Sequence, residues 1–167
     1  MKKFNFKKNE IYKINVPSEF EIETILEEYC DFSNFKSMSP ILNAFSFDSE
    51  KFDPIVLSKY TEQYELTKSY LYFYDEKKDL PIRQLSVKQK IFLNIMTVLS
   101  KYDCIAFSFE SLSENTKRDL IYLFNYLCSY KEEKTFVTFD YSNTNHEYRK
   151  LQFCKVTPTW GEEILES

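Results

Sequence analysis

A few short stretches of the chain hold side chains whose types and spacing could do chemistry. The first is Val16-Pro17-Ser18-Glu19-Phe20-Glu21-Ile22-Glu23-Thr24, at the start of an amphipathic run. A helix N-terminus offers free N–H groups and a partial positive charge, so phosphate binds there readily. Here the pattern points the other way. Ser18-x-x-Glu21 has capping-box spacing, and such side chains would occupy those donors themselves. Glu19, Glu21 and Glu23 would crowd negative charge onto one turn, which favours the helix dipole and repels a triphosphate. Ser86-Val87-Lys88-Gln89 is a second capping box ahead of an apolar helix. Glu110 follows an apolar run and reads either as a general base for water or as an ordinary loop carboxylate. His146 sits among Asn143, Thr144, Asn145 and Glu147. With no Cys or Asp cluster beside it, it reads as a solvated loop residue.

Periodicity predicts the elements that must position these residues. Ile11 to Asn15 is a short strand-like run, broken by Pro17-Ser18. From Glu19 to Cys30, the residues Ile22, Ile25, Leu26, Tyr29 and Cys30 fall on one helix face. Ser33 to Pro40 reads as a loop and Asn43 to Phe47 as a short strand. Ser49 to Phe73 reads as mostly helical, with Pro54 near a helix start, and Asp75 to Pro81 as a charged turn. Ser86 to Ser100 carries Val87, Ile91, Phe92, Ile95, Met96 and Leu99 on one face, an amphipathic helix. Cys104-Ile105-Ala106-Phe107-Ser108-Phe109 is an unbroken apolar run, as in a strand buried on both faces. Asn115 to Tyr130 aligns Leu120, Leu123, Phe124 and Leu127 as a further helix. Lys134 to Phe139 is another apolar strand, and Tyr148 to Val156 alternates weakly, as a sheet-edge strand would. This order predicts an α/β fold, a mainly parallel sheet flanked by helices with right-handed crossovers. No repeat or low-complexity linker interrupts it, so residues 1–167 read as a single domain.

Composition sets bounds. The 167 residues carry 22 Lys+Arg against 26 Asp+Glu, a net charge of −4 that argues against a general nucleic-acid binder. Hydrophobic residues at 43% and charged residues at 29% describe a globular chain. No apolar run approaches the ~20 residues of a membrane span, so no direct membrane insertion is expected. Met1-Lys2-Lys3 leads into Asn5, Lys7, Lys8 and Glu10, not into an apolar signal region. Cys30, Cys104, Cys128 and Cys154 form no CxxC pair and read as reduced core thiols of a cytoplasmic protein. Gly161 is the only glycine, where average usage of about 7% would give roughly a dozen. Without glycine before it, the chain holds no standard P-loop or dinucleotide fingerprint.

The segment from Leu85 to Asp140 resembles the C-terminal half of an ATP-binding cassette (ABC) ATPase domain. Members of that family carry an LSGGQ signature opening a helix, a Walker B strand ending in Asp-Glu, a helix, and a strand ending in a switch histidine. Leu85-Ser86-Val87-Lys88-Gln89 sits at the signature. The strand Ile105 to Phe109 ends at Glu110, the catalytic-glutamate position, with Phe109 at that of the magnesium-binding aspartate. Glu114 to Leu120 resembles the start of the next helix, after a shortened D-loop. Thr138-Phe139-Asp140 resembles the switch strand end, with Phe139 replacing the histidine. Lys8-Asn9-Glu10-Ile11-Tyr12 is similar to the lead-in to the first core strand. Val16 to Thr24 then lies where Gly-Pro-x-Gly-x-Gly-Lys-[Ser/Thr]-Thr would. Pro17 and Thr24 match, every Gly and the Lys are gone, and Ile22 stands at the lysine position. Asn43 to Tyr60 faintly resembles the helical subdomain of exporter-type cassettes, which implies a small helical subdomain at roughly 49–80. The antiparallel sheet region, the Q-loop and the adenine-stacking aromatic have no clear counterpart.

The resemblance implies a shortened, glycine-stripped cassette that neither binds nor hydrolyses nucleotide and needs no cofactor. Its function would be binding. One form is a pseudo-subunit that modulates a protein partner, an active ABC-type ATPase or a transporter subunit. Cassettes dimerise through the face that would hold Ser86, Val87, Lys88, Gln89 and Asp140, which makes these the expected partner-binding residues. Lys88 could touch a partner's phosphate, although Val87 and Lys88 replace two glycines and block close backbone approach. The alternative is a stand-alone regulator or inhibitor from a mobile element, binding an unrelated host protein through an aromatic-rich surface. Residual ATPase activity through Glu110 is a third reading.

Overall fold

A computed structural model describes residues 2–17, 19–44, 46, 59, 81–99, 101–130, 134–141, 151–157 and 161–166. The described elements begin with β1 (Phe4–Asn5), β2 (Ile11–Asn15), α1 (Ile22–Tyr29) and β3 (Cys30–Asp31). A single 3-10 turn (Ile82–Gln84) precedes α2 (Val87–Leu99), β4 (Cys104–Ser108) and α3 (Glu114–Tyr130). β5 (Thr135–Asp140), β6 (Gln152–Val156) and β7 (Glu162–Glu166) follow.

The sheet runs β4-β5-β2-β6-β7. β4, β5 and β2 pair parallel, whereas β6 pairs antiparallel with β2 and β7 antiparallel with β6. The expected mainly parallel sheet is therefore corrected to a mixed one. Parallel neighbours need a crossover of a dozen or more residues. α3 supplies one between β4 and β5, but the connection 157–161 is far too short, so β6 and β7 form a hairpin. Gly161 sits at its end, where a Cβ would stand 3.0 Å from Thr157 Oγ1. Thr157 N donates to Gly161 O at 2.8 Å. Tyr148 to Val156, expected at the sheet edge, is instead represented by β6 inside the sheet.

Period-2 alternation sends the strands' side chains to two opposite cores. Ile11, Ile105, Phe107, Phe136 and Val156 pack with α2 and α3. Tyr12, Ile14, Ala106, Val137, Phe139 and Phe153 pack with α1 and the ribbon made by β1 and β3. Every residue of β4 and of β5 is buried, as the unbroken apolar runs require. Phe124 of α3 stacks on Phe136 of β5 with ring centroids 4.2 Å apart, and Phe6 stacks on Phe32 at 4.9 Å. Such pairs add about 0.5–1.5 kcal/mol beyond their buried area.

The outer side of β4 is covered. Cys104 N donates to Ser37 O, Ala106 N to Ser39 Oγ and Ser108 N to Leu42 O, at 3.2, 2.9 and 2.7 Å. Asp103 anchors this segment by accepting from Lys36 N at 2.9 Å and Ser37 N at 2.8 Å. The short strand expected at Asn43 to Phe47 is corrected: Asn43, Ala44 and Ser46 lie in no strand, and the contacts to β4 are isolated bridges earlier in the chain, at Met38 and Leu42. The helical subdomain expected at roughly 49–80, Lys59 apart, and the loop around His146 lie outside the described residues.

Candidate functional site

The C-terminal ends of the parallel strands β2, β4 and β5 are adjacent, which brings residues 16–17, 19–24, 108–110 and 140–141 together. Between them is a cleft of about 600 Å³. Glu21, Glu23 and Glu110 line it together with Asn43, Ser108 and Tyr141. Among the described residues no Lys or Arg lines it. Tyr141 Oη donates to Phe20 O at 3.0 Å, tying β5's end to the turn before α1. Burial, reinforced by the carboxylates of Glu110, Glu23 and Glu21, pushes the Tyr141 phenol up. An anion entering here meets that same negative field.

The turn itself differs from the sequence expectation. Phe20 N donates to Pro17 O at 3.1 Å, and α1 starts at Ile22 instead of Glu19. Glu21 takes the N-cap position and makes no side-chain cap bond. Ser18 lies outside the described residues. The helix end is therefore acidic without Glu21 plugging it, and Glu23 is the only acid within its first turn. Phe109 and Phe139 are buried in opposite cores. Glu110 is exposed.

The second capping box forms as its spacing predicts. Ser86 N donates to Gln89 Oε1 at 2.9 Å, and Gln89 N donates to Ser86 Oγ at 3.2 Å. Val87, just beyond the cap, is 63% exposed. Lys88 points to α3, where its Nζ lies 2.7 Å from Asp119 Oδ2.

Asp140 does not share that surface. Its side chain is 5% exposed and lies between two lysines, Lys117 Nζ at 3.0 Å from Oδ1 and Lys13 Nζ at 3.2 Å from Oδ2. The exposed part of the expected contact residues is Ser86, Val87 and Lys88, and Asp140 belongs to an internal ion network. Glu114 extends the network at 3.1 Å from Lys117, and Glu162 at 2.7 Å from Lys13. Burial alone would lower the Lys13 pKa, but the carboxylates of Glu162 and Asp140 outweigh it and hold it above the usual lysine value. The network joins α3, β5, β2 and β7. A sequence signal for it existed. Lys117 stands three and seven residues before Leu120 and Phe124, on the apolar stripe of α3, where an unpaired lysine is costly.

A second cleft, also about 600 Å³, opens between α3 and the surface of β2, β6 and β7. Phe109, Ile121 and Val156 give it an apolar lining, and Glu114, Arg118, Asp119 and Glu162 carry its charges beside Lys13. Nothing in the linear pattern pointed to it.

The four cysteines are free. Burial pushes the thiols of Cys30, Cys104 and Cys128 up to about 12, so they are poor nucleophiles. Among the described residues, no group of three or more His, Cys, Asp and Glu residues could hold a metal ion. None of the described helices is long and apolar enough to cross a membrane. No protein-family model matches the chain, and the search of curated proteins returns no match.

Proposed function

We propose that the chain is a catalytically inactive, ABC-ATPase-like cytoplasmic protein that binds and modulates a protein partner, an ABC-type ATPase. The observation that carries this reading is the acidic cleft. Ligands of open α/β sheets sit beyond the carboxyl ends of the strands. The segments whose order resembles a cassette's phosphate loop, Walker B strand and switch strand meet at that end. Glu21, Glu23 and Glu110 line the space where phosphates would lie. Repulsion there, with Ile22 in place of a lysine, supports loss of nucleotide binding and leaves partner binding as the function. The capped end of α2, with Val87 exposed and Lys88 beside Asp119, is the contact surface in this reading.

Calorimetry with Mg-ATP is expected to give no saturable heat, and micromolar binding abolished by changes at Glu21 or Ile22 would refute the proposal. Crosslinking of the tagged chain in its native cells, followed by mass spectrometry, is expected to recover a complete cassette protein. A stand-alone regulator acting on an unrelated host protein is the second reading. It is favoured by Tyr122, 55% exposed beside the second cleft and apart from the α2 cap. Recovery of a protein with no cassette would select it.

A further inference from the structure

We propose that the cleft between α3 and β7 receives an extended segment of the protein partner in which an apolar side chain stands next to an Asp or Glu. This rests on the reading of the chain as a partner-binding protein, whichever partner it takes. The argument is one of charge and shape. Each carboxylate at the cleft already has a cation: Glu114 has Lys117 at 3.1 Å, Asp119 has Lys88 at 2.7 Å, and Glu162 has Lys13 at 2.7 Å. Lys13 is spent on Glu162 and Asp140. Arg118 is exposed, lines the cleft and takes part in none of the ion pairs among the described residues. Its guanidinium presents a planar fork that matches a carboxylate with two parallel hydrogen bonds.

The floor beside Arg118 is apolar. Phe109, Ile121 and Val156 line it, and Tyr122 adds an exposed ring at the wall. On the sheet side, Cys154 pairs across to both Lys13 and Ile164, which sets Ile164 on the same sheet face as Lys13. Ile164 is 58% exposed. An apolar side chain entering the cleft covers this surface, and its acidic neighbour meets Arg118. A basic segment would instead place its charge against Arg118, and each carboxylate it could reach already has a lysine partner.

The test is panning of a phage-displayed random dodecapeptide library against the immobilised full chain. Enriched peptides are expected to carry an aromatic or aliphatic residue next to Asp or Glu. A synthetic peptide of that sequence should bind roughly tenfold or more weakly to Arg118→Glu, the loss expected for a charge-assisted contact turned repulsive. Binding to Tyr122→Ala should weaken as well, while Arg118→Lys should retain part of the affinity. Circular dichroism of each variant checks that it folds. Enrichment of basic peptides, the absence of any consensus, or a consensus indifferent to Arg118→Glu overturns the inference. A cellular partner that is still captured by Arg118→Glu but lost with Lys88→Glu also overturns it, and leaves the partner-binding reading standing. Capture of no partner, with the peptide result intact, sinks that reading instead.

Discussion

Lys117 and Asp140 meet 3.0 Å apart, each side chain about one-twentieth exposed, so a charge on the apolar stripe of α3 is answered by a charge at the end of β5. Removing Asp140 leaves the buried Lys117 with only the exposed Glu114 as its ion partner among the described residues, and takes one of two carboxylates from Lys13. Asp140→Ala is expected to destabilise the fold by up to about 3 kcal/mol, below the full penalty of an unpaired buried charge, read as a lower urea midpoint. Lys117→Met combined with Asp140→Leu should recover much of that loss, because a well-packed apolar pair replaces a buried ionic one at little cost. A double variant as unstable as Asp140→Ala alone would mean that the geometry of the whole network, not the uncompensated charge, sets the penalty.

Alkaline lability is expected from the buried thiols. Cys30, Cys104 and Cys128 ionise near 9.0 in an unfolded chain but only at about 12 in the fold. A raised folded value contributes stability that is complete below the unfolded value and is lost as pH rises through the folded one. Unfolding free energy should therefore decline from about pH 9 upward. The raised phenols of Tyr12 and Tyr141 and the raised Lys13 ammonium act on the same limb. Urea titrations across this range should show a flatter decline for Cys104→Ala than for the unaltered chain.

Acid acts through a different residue. Burial would raise the Asp103 carboxyl, but the N–H groups of Lys36 and Ser37 outweigh it and hold it below its ordinary value of 3.8. A depressed value gives stability that is present above the unfolded value and lost as pH falls through the folded one. Asp103→Ala should cost about 1–3 kcal/mol, since it strands the donors that pin residues 36–42 to β4. Hydrogen exchange is the direct readout. The amides of Ser39 and Leu42, which bond Cys104 O and Ala106 O, should lose protection first.

The end of α2 separates stability from recognition. Ser86→Ala removes one half of the reciprocal cap and should lower stability by about 1 kcal/mol. Lys88→Glu breaks an ion pair whose two side chains are almost half exposed, worth less than about 1 kcal/mol. Its effect on partner capture in cells should be far larger than its effect on the melting curve. Equal and small effects on both would place the contact elsewhere on the molecule.

The buried parts of this fold were legible in the chain, and the exposed and ionic parts were less so. Cys104–Ser108 and Thr135–Asp140 have no polar alternation to hide, so burial on both faces shows in the residue types themselves. α2 and α3 carry 3.6-residue periodicity and fall within a residue of their expected starts. β7 reads Glu-Glu-Ile-Leu-Glu, a string of low strand propensity that becomes a strand only because β6 offers it a partner. The parallel half of the sheet is therefore the half that residue types reveal. The network around Asp140 joins residues from distant parts of the chain, and only Lys117, out of place among leucines, marked it. Ser18-x-x-Glu21 misled because its spacing is necessary for a capping box but does not oblige the helix to start there.

The two flanks of the sheet are unequal, and this governs how copies of the molecule can stack. On one flank residues 37–42 already satisfy the outward N–H groups of β4. On the other, β7 has no further strand beside it among the described residues. Among the described residues, the five-stranded sheet thus has one open edge for strand addition, so two copies joined through β7 would close on each other and stop. Even that pairing sets glutamate rows side by side. Runaway fibre growth through this sheet is blocked at one end by backbone and discouraged at the other by charge.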